Sequence, residues 1–348
     1  MKRYLTTKHL FPALFIAAVT ITVLSCEKGD GSPDMKAGNP QATALSPSEA
    51  PGGSVLTLTG TGLGQMRTIV FDKNNVPATF TPTLNTETSL VFRVPDTAFG
   101  GSQNIIFTNS EGNTLSVPFK VIALPSITSI FPVDFQQGTT VTIIGNNLDD
   151  VTKVLIEGTS DQATIVSKTR KQLVITMPST TVNRAKLRIT NSSGERLADN
   201  IELTYIPNAF KVFTDGFVDG MQDWSWCQTH DISSTVSFMG TQSLRGIFGA
   251  GAWGAISLHK NDPKLVVNNY QYLTFWIKGG TADTQFEVFS ENGGSHKTIT
   301  VPANVWTYFK LQVSTFMSGV NLERLDFQIH GPDGGAQTLY FDNILFVK

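Results

Sequence analysis

No tryptophan precedes Trp224 in this chain of 348 residues, and all five tryptophans (Trp224, Trp226, Trp253, Trp276 and Trp306) fall beyond Pro207. Cysteine is nearly absent: Cys26 and Cys227 are the only two, so the fold rests on its hydrophobic cores rather than on a disulfide framework. Charge is sparse as well. Only 16% of residues are Asp, Glu, Lys or Arg, and the net charge is −2. With no basic excess to neutralise a phosphate backbone, nucleic-acid binding is excluded as the working reading. Apolar runs long enough to cross a bilayer are also missing, because a spanning helix needs about 20 such residues and the longest run, Leu10 to Leu24, falls short.

That run follows Lys2, Arg3 and Lys8, which is the order of a secretory signal peptide over residues 1–25. It ends in Val23-Leu24-Ser25-Cys26, which resembles the lipobox of bacterial lipoproteins. The resemblance implies a lipid on Cys26 and attachment to a membrane. The plainer alternative is an ordinary signal peptide with an incidental cysteine. Residues 26–38 lack apolar periodicity and read as a flexible tether. Glu27 and Asp30 near the cysteine resemble the surface-export signal of Bacteroidetes lipoproteins, which implies outer-membrane display facing the cell exterior.

An internal repeat organises the next part. Ser46-Pro47, Gly53, Leu56-Thr57-Leu58, Gly60 and Leu63 recur as Phe131-Pro132, Gly138, Val141-Thr142-Ile143, Gly145 and Leu148. Val91-Phe92-Arg93-Val94-Pro95 likewise answers Val174-Ile175-Thr176-Met177-Pro178. Short alternating runs between turn residues indicate all-β sandwiches over 39–122 and 123–206. The repeats resemble IPT/TIG domains, which implies two tandem immunoglobulin-like modules. Neither carries a Trp or a His/Asp/Glu cluster, so both read as spacers, with a partner-binding repeat surface as the competing view.

Residues 207–348 have a different texture. About nine strand-like runs without helical periodicity indicate a β-jelly-roll sandwich. Trp224-Ser225-Trp226, the Phe275-Trp276-Ile277-Lys278-Gly279 strand, Trp306-Thr307 and the closing Tyr340-Phe341-Asp342-Asn343-Ile344 resemble non-catalytic carbohydrate-binding modules. Period-two alternation sends Ile256 and Leu258 inward and Trp253, Ala255, Ser257 and His259 outward. It sends Leu325, Phe327 and Ile329 inward and Arg324, Asp326, Gln328 and His330 outward, and it sets Trp276 opposite Phe275 and Ile277. An exposed indole covers the apolar face of a sugar ring while amide and imidazole groups satisfy its polar rim. The candidate glycan-binding residues are therefore Trp253 foremost, then Trp226, Trp276, His259, Gln328 and His330. Trp306 reads as packing, and Cys227 as a small buried apolar residue.

Asp215, Asp219, Asp223 and Asp342 offer oxygens of the kind calcium takes, and related jelly rolls hold a structural calcium near their chain ends. Asp215 and Asp342 are the named candidates, against a role as turn residues. No other cofactor is expected. Glycoside hydrolysis needs two facing carboxylates, whereas Glu287 and Glu291 lie on one strand and its turn. No nucleophile elbow, His-Glu-x-x-His or phosphate loop is present. The whole resembles a Bacteroidetes surface glycan-binding lipoprotein. That resemblance implies a polysaccharide ligand and, as partners, an outer-membrane glycan transporter and an endo-acting hydrolase. A surface adhesin that grips another protein is the leading rival, and a glycoside hydrolase the lesser one.

Overall fold

The computed structural model describes residues 35–218, 220–290, 295–317, 321–330 and 335–348. The signal segment, Cys26, Asp219 and Glu291 lie outside the described residues, as do the sequence readings that fall on them. Strands supply nearly all the regular structure. The helical turns among the described residues are 3-10 segments of three residues each.

The chain forms two compact units, one ending at Ala123 and the other running from Leu124 to Lys348. In the first, Gln41–Ser46, Val55–Thr61 and Ser89–Arg93 make one sheet, and Thr114–Ile122, Gly101–Asn109 and Met66–Phe71 lie at the centre of the other. Alternation drives Leu56, Leu58, Phe71, Phe92 and Phe107 between them.

The second unit holds two large cores and a small cluster of Ile206, Leu345 and Val347. One repeats the first unit's pattern: Val141 and Ile143 stand where Leu56 and Leu58 stand, and all four are fully buried. The paired glycines have one cause. A Cβ on Gly60 would collide with the carbonyl oxygen of Gln41, and one on Gly145 with that of Ser126. Both sit where a bulge presses two strands together, so no side chain fits. The other core lies between two sheets of the C-terminal jelly-roll sandwich and is rich in Phe275, Phe286, Phe327 and Phe341. Its first sheet runs in the order Thr229–Ser233, Ser243–Phe248, Gln337–Val347, Tyr272–Lys278, Trp306–Gln312.

The outer face of that first sheet is not open. Trp276 points away from the sandwich core, as alternation requires, yet it is only 4% exposed. Its indole Nε1 donates to Asp134 Oδ2 at 2.8 Å, on the second immunoglobulin-like sandwich. Phe238 stacks on the indole at 3.7 Å between centroids, and Phe131 meets both rings edge-on. A polar rim surrounds them: Lys310 Nζ donates to Glu202 Oε2 at 2.5 Å, and Arg184 donates to Gln271 Oε1 at 3.0 Å. Burial pushes the Glu202 carboxyl up, but Lys310 and Arg184 outweigh it and hold it below its ordinary value. Trp276 is therefore corrected from a glycan contact to a joint residue. Trp306, which meets Phe238 edge-on at 5.8 Å, packs at the same joint.

Asp134 is the costly member of this joint. Burial raises its carboxyl from 3.8 to about 7, and the Trp276 indole and the nearby Asn343 amide offset only part of that. Its other oxygen, Oδ1, has no hydrogen-bond partner. Between those two values the folded chain keeps a proton that the unfolded chain has released. The stabilising contribution is thus complete below the lower value and is lost as pH rises through about 7. Asp342, raised by burial to about 6, acts in the same direction. Urea unfolding of the native chain and of Asp134→Asn, compared from about pH 5 to about pH 8, should diverge by about 2–3 kcal/mol, with the native chain losing more as pH rises. Parallel pH profiles would refute this role for Asp134.

Candidate functional site

The second sheet of the jelly roll has a different fate. Its order is Met221–Asp223, Trp253–Lys260, Arg324–His330, Thr284–Ser290, Lys297–Val301. Ile256, Leu258, Leu325, Phe327, Phe286 and Val288 all face the core and are buried. The alternate positions must then face outward. Register brings them into rows: Trp253 lies opposite His330, Ala255 opposite Gln328, Ser257 opposite Asp326, and His259 opposite Arg324. One strand further on, Glu287 pairs with Gln328 and Phe289 with Asp326.

At the other margin Gln222 pairs with His259. Beyond Asp223 the chain keeps to the edge of the sheet: the Trp224 amide donates to the Ser257 carbonyl at 2.8 Å, and the Trp226 amide donates to that of Ala255 at 3.0 Å. Trp224 and Trp226, two apart on this extended edge, therefore share the outward face. Three tryptophans result on one face: Trp224 is 53% exposed, Trp226 47% and Trp253 59%. Three indoles left this open on one sheet form a patch that marks a binding surface. Ala255 and Ser257 on the same face are fully covered, so larger side chains close over them.

The rings are held in place. Trp224 stacks on His259 with centroids 3.6 Å apart and planes 7° from parallel, and its Nε1 donates to Gln222 Oε1 at 3.2 Å. Across the face, Phe289 stacks on His296 at 4.1 Å and 6°. His296 Nδ1 lies 2.6 Å from Glu287 Oε2. The Arg324 Nε donates to Asp326 Oδ2 at 2.8 Å, and Asp326 is almost wholly covered. Half-buried Gln328 sits between Ala255 and Glu287, with an amide that both donates and accepts.

The structure thus brings Trp253, Trp226, His259 and Gln328 onto one face. His259 backs the Trp224 indole, which is a different role from standing beside a sugar hydroxyl. His330 pairs with Trp253 through the backbone register, and its side chain lies outside what is described. Trp224 and Phe289 were not among the sequence candidates, although both follow from alternation once the 221–226 segment is read as strand. Cys227, half-buried, donates its thiol to the Thr229 carbonyl at 3.1 Å, and burial raises its pKa.

The calcium candidates do not fit a cation. Asp215 Oδ1 accepts the Thr241 and Gln242 amides at 2.7 and 2.8 Å. Asp342 Oδ2 accepts those of Phe238 and Met239 at 2.8 and 3.1 Å, and its Oδ1 accepts that of Asn343 at 2.8 Å. Calcium requires six to eight oxygens, and here backbone N–H groups already bond Asp215 Oδ1 and both Asp342 oxygens. Among the described residues, no three His, Cys, Asp or Glu side chains cluster closely enough to hold a metal ion. Both aspartates act as turn caps.

Residues 40–121 and 125–205 match the IPT/TIG domain family, so both immunoglobulin-like sandwiches are IPT/TIG domains. No curated protein sequence matches the chain. The surface glycan-binding protein PbSGBP-B from Prevotella bryantii has a similar structure at 16% identity, covering 89% of this chain and 99% of that one with a TM-score of 0.55. SGBP-B from a complex xyloglucan utilization locus in Bacteroides uniformis, at 17% identity, covers 89% and 99% with a TM-score of 0.46. At these identities the likeness is one of fold.

The different positions of the tryptophans carry a stability test. Trp276→Ala should cost about 3–5 kcal/mol, as removal of a buried aromatic does, whereas exposed Trp253→Ala should stay within about 1 kcal/mol of the native chain. Urea midpoints of the two variants would measure this, and equal losses would contradict the assignment.

Proposed function

We propose that the chain is a non-catalytic, surface-displayed glycan-binding protein that captures a polysaccharide on the open face of its C-terminal jelly roll. The observation that carries this reading is the cluster of Trp224, Trp226 and Trp253 on one uncovered sheet face, with Gln328 and Glu287 beside them. Flat indoles take the C–H face of pyranose rings and the neighbouring amide and carboxylate take the hydroxyls. Such a face gives a shallow, open site rather than the cleft with opposed carboxylates that hydrolysis requires. The fold shared with a surface glycan-binding protein supports the same reading.

Anchoring through a lipid on Cys26 to the outer membrane, facing the exterior, belongs to this proposal. The apolar run ending in Ser25-Cys26 supports it, as do the acidic residues that follow. Service to a neighbouring outer-membrane glycan transporter would be the consequence of capture at that surface. A weak site gains from several copies on one cell, since linked sites bind far more tightly than single ones.

Affinity gel electrophoresis of the full chain against xyloglucan, mixed-linkage glucan, galactomannan and polygalacturonate tests the ligand. At least one gel should retard the protein, and Trp253→Ala and Trp226→Ala should each weaken binding by about tenfold or more, the range of buried aromatic anchors. Retardation by none of them would favour a protein-binding adhesin, and release of reducing ends would favour an enzyme. For the anchor, cells expressing the chain should incorporate labelled palmitate, and Cys26→Ala should abolish the label. Labelling that persists in the variant would refute acylation at that residue.

A further inference from the structure

We infer that the stacked pair Phe289 and His296 is a second aromatic platform of the proposed glycan site, so that the occupant is an internal stretch of an uncharged glycan chain lying across the strands. The inference rests on the proposed function and adds the length, direction and charge of what is bound. Phe289 shares the outward face, because Phe286 and Val288 on its strand are buried in the core. It is paired in register with Asp326, which pairs in turn with Ser257, beside the Trp224 amide contact. Trp224 and Phe289 thus stand on one row of the sheet.

Three inter-strand steps separate the 221–226 edge from the Thr284–Ser290 strand, about 14 Å in all. A single sugar does not bridge that distance, whereas a chain of about three or more pyranoses does. The two margins are built alike: an imidazole stacked nearly parallel on an aromatic ring, with a polar side chain holding the pair from one side. Between them Ala255 and Ser257 are covered, so the surface from one margin to the other is made by their larger neighbours. Gln328 offers an amide midway along it.

Charge on the same face selects the class of glycan. Glu287 faces outward and is exposed beside His296, while Arg324 is bonded to the covered Asp326. A uronate or sulfate laid along the row would meet the exposed Glu287 carboxylate, and such a like-charge contact acts against a ligand. Neutral hydroxyls meet acceptors instead.

The test uses the full chain, the neutral polysaccharide that retards it most, and oligosaccharides of increasing length cut from that polymer, measured by calorimetry. Native affinity should climb with length and level off only once both margins are spanned. Phe289→Ala should lower affinity for the long oligosaccharides by about fivefold or more while leaving the shortest binding length within about twofold. His296→Ala should act in the same direction, and unchanged urea midpoints would show that both variants fold. Polygalacturonate should not retard the native chain. Equal affinity of native chain and Phe289→Ala at every length would overturn the inference while leaving the tryptophan-dependent binding intact, as would retardation by polygalacturonate. If no glycan binds the native chain, the functional reading itself falls and this inference falls with it.

Discussion

The bond from the Trp276 indole to the buried Asp134 carboxylate marks a choice that the rest of the C-terminal domain follows. A β-sandwich has two outer faces, and a soluble domain cannot leave large apolar areas on both without risk of association. Here the face that carries Trp276 is closed by the jelly roll's own Phe238 and by the second IPT/TIG domain, through Phe131 and the Glu202–Lys310 ion pair. The opposite face is then the one left to solvent, and it holds the three exposed tryptophans. One sheet serves attachment and, on the proposed function, the other serves recognition, with the phenylalanine-rich core between them keeping the two apart.

Much of this was legible in the amino-acid order. The repeats announced themselves through Pro, Gly and paired apolar residues at matching offsets, and the collision at Gly60 and Gly145 gives the physical cause of one of those offsets. Period-two alternation placed Ile256 and Leu258 inside and Trp253 outside because a strand allows no third option. It also sent Trp276 outward correctly, but alternation says only which way a side chain points. What stands in front of it is a tertiary fact, supplied here by Asp134, 142 positions earlier in the chain. Trp224 was lost for a similar reason. Trp224 and Trp226 share a face only if their segment is extended, and the two amide bonds to Ser257 and Ala255 that keep it so along the sheet edge are tertiary. Phe289 needed no new information at all, since its strand had been recognised and its parity places it outward.

The two aspartates proposed for calcium show how composition misleads. Asp in a Gly-rich loop supplies oxygens for a cation or acceptors for backbone amides with equal ease. Which role wins depends on whether the surrounding chain turns N–H groups or oxygens toward the carboxylate. Around Asp215 and Asp342 it turns N–H groups. That arrangement fixes the 238–242 loop, and the same loop delivers Phe238 onto Trp276. The caps therefore contribute to the joint through the backbone amides they bond.

The joint itself is not stabilised mainly by its hydrogen bond. Burying a carboxylate costs more than one indole donor returns, which is why Asp134 holds its proton up to about pH 7. The favourable term comes from apolar contact: the jelly roll's Trp276 and Phe238 are both met edge-on by Phe131 of the IPT/TIG domain, and Ile206 packs with Leu345 and Val347. Apolar contact is tolerant of sliding, however, and flat rings can pack at several offsets. A directional bond between an indole nitrogen and a single carboxylate oxygen removes that freedom, because any slip would leave two buried polar groups unpaired. On this argument the rings hold the two domains together and the Asp134–Trp276 pair sets their register, so that the recognition face is presented in one fixed orientation to the IPT/TIG domain behind it.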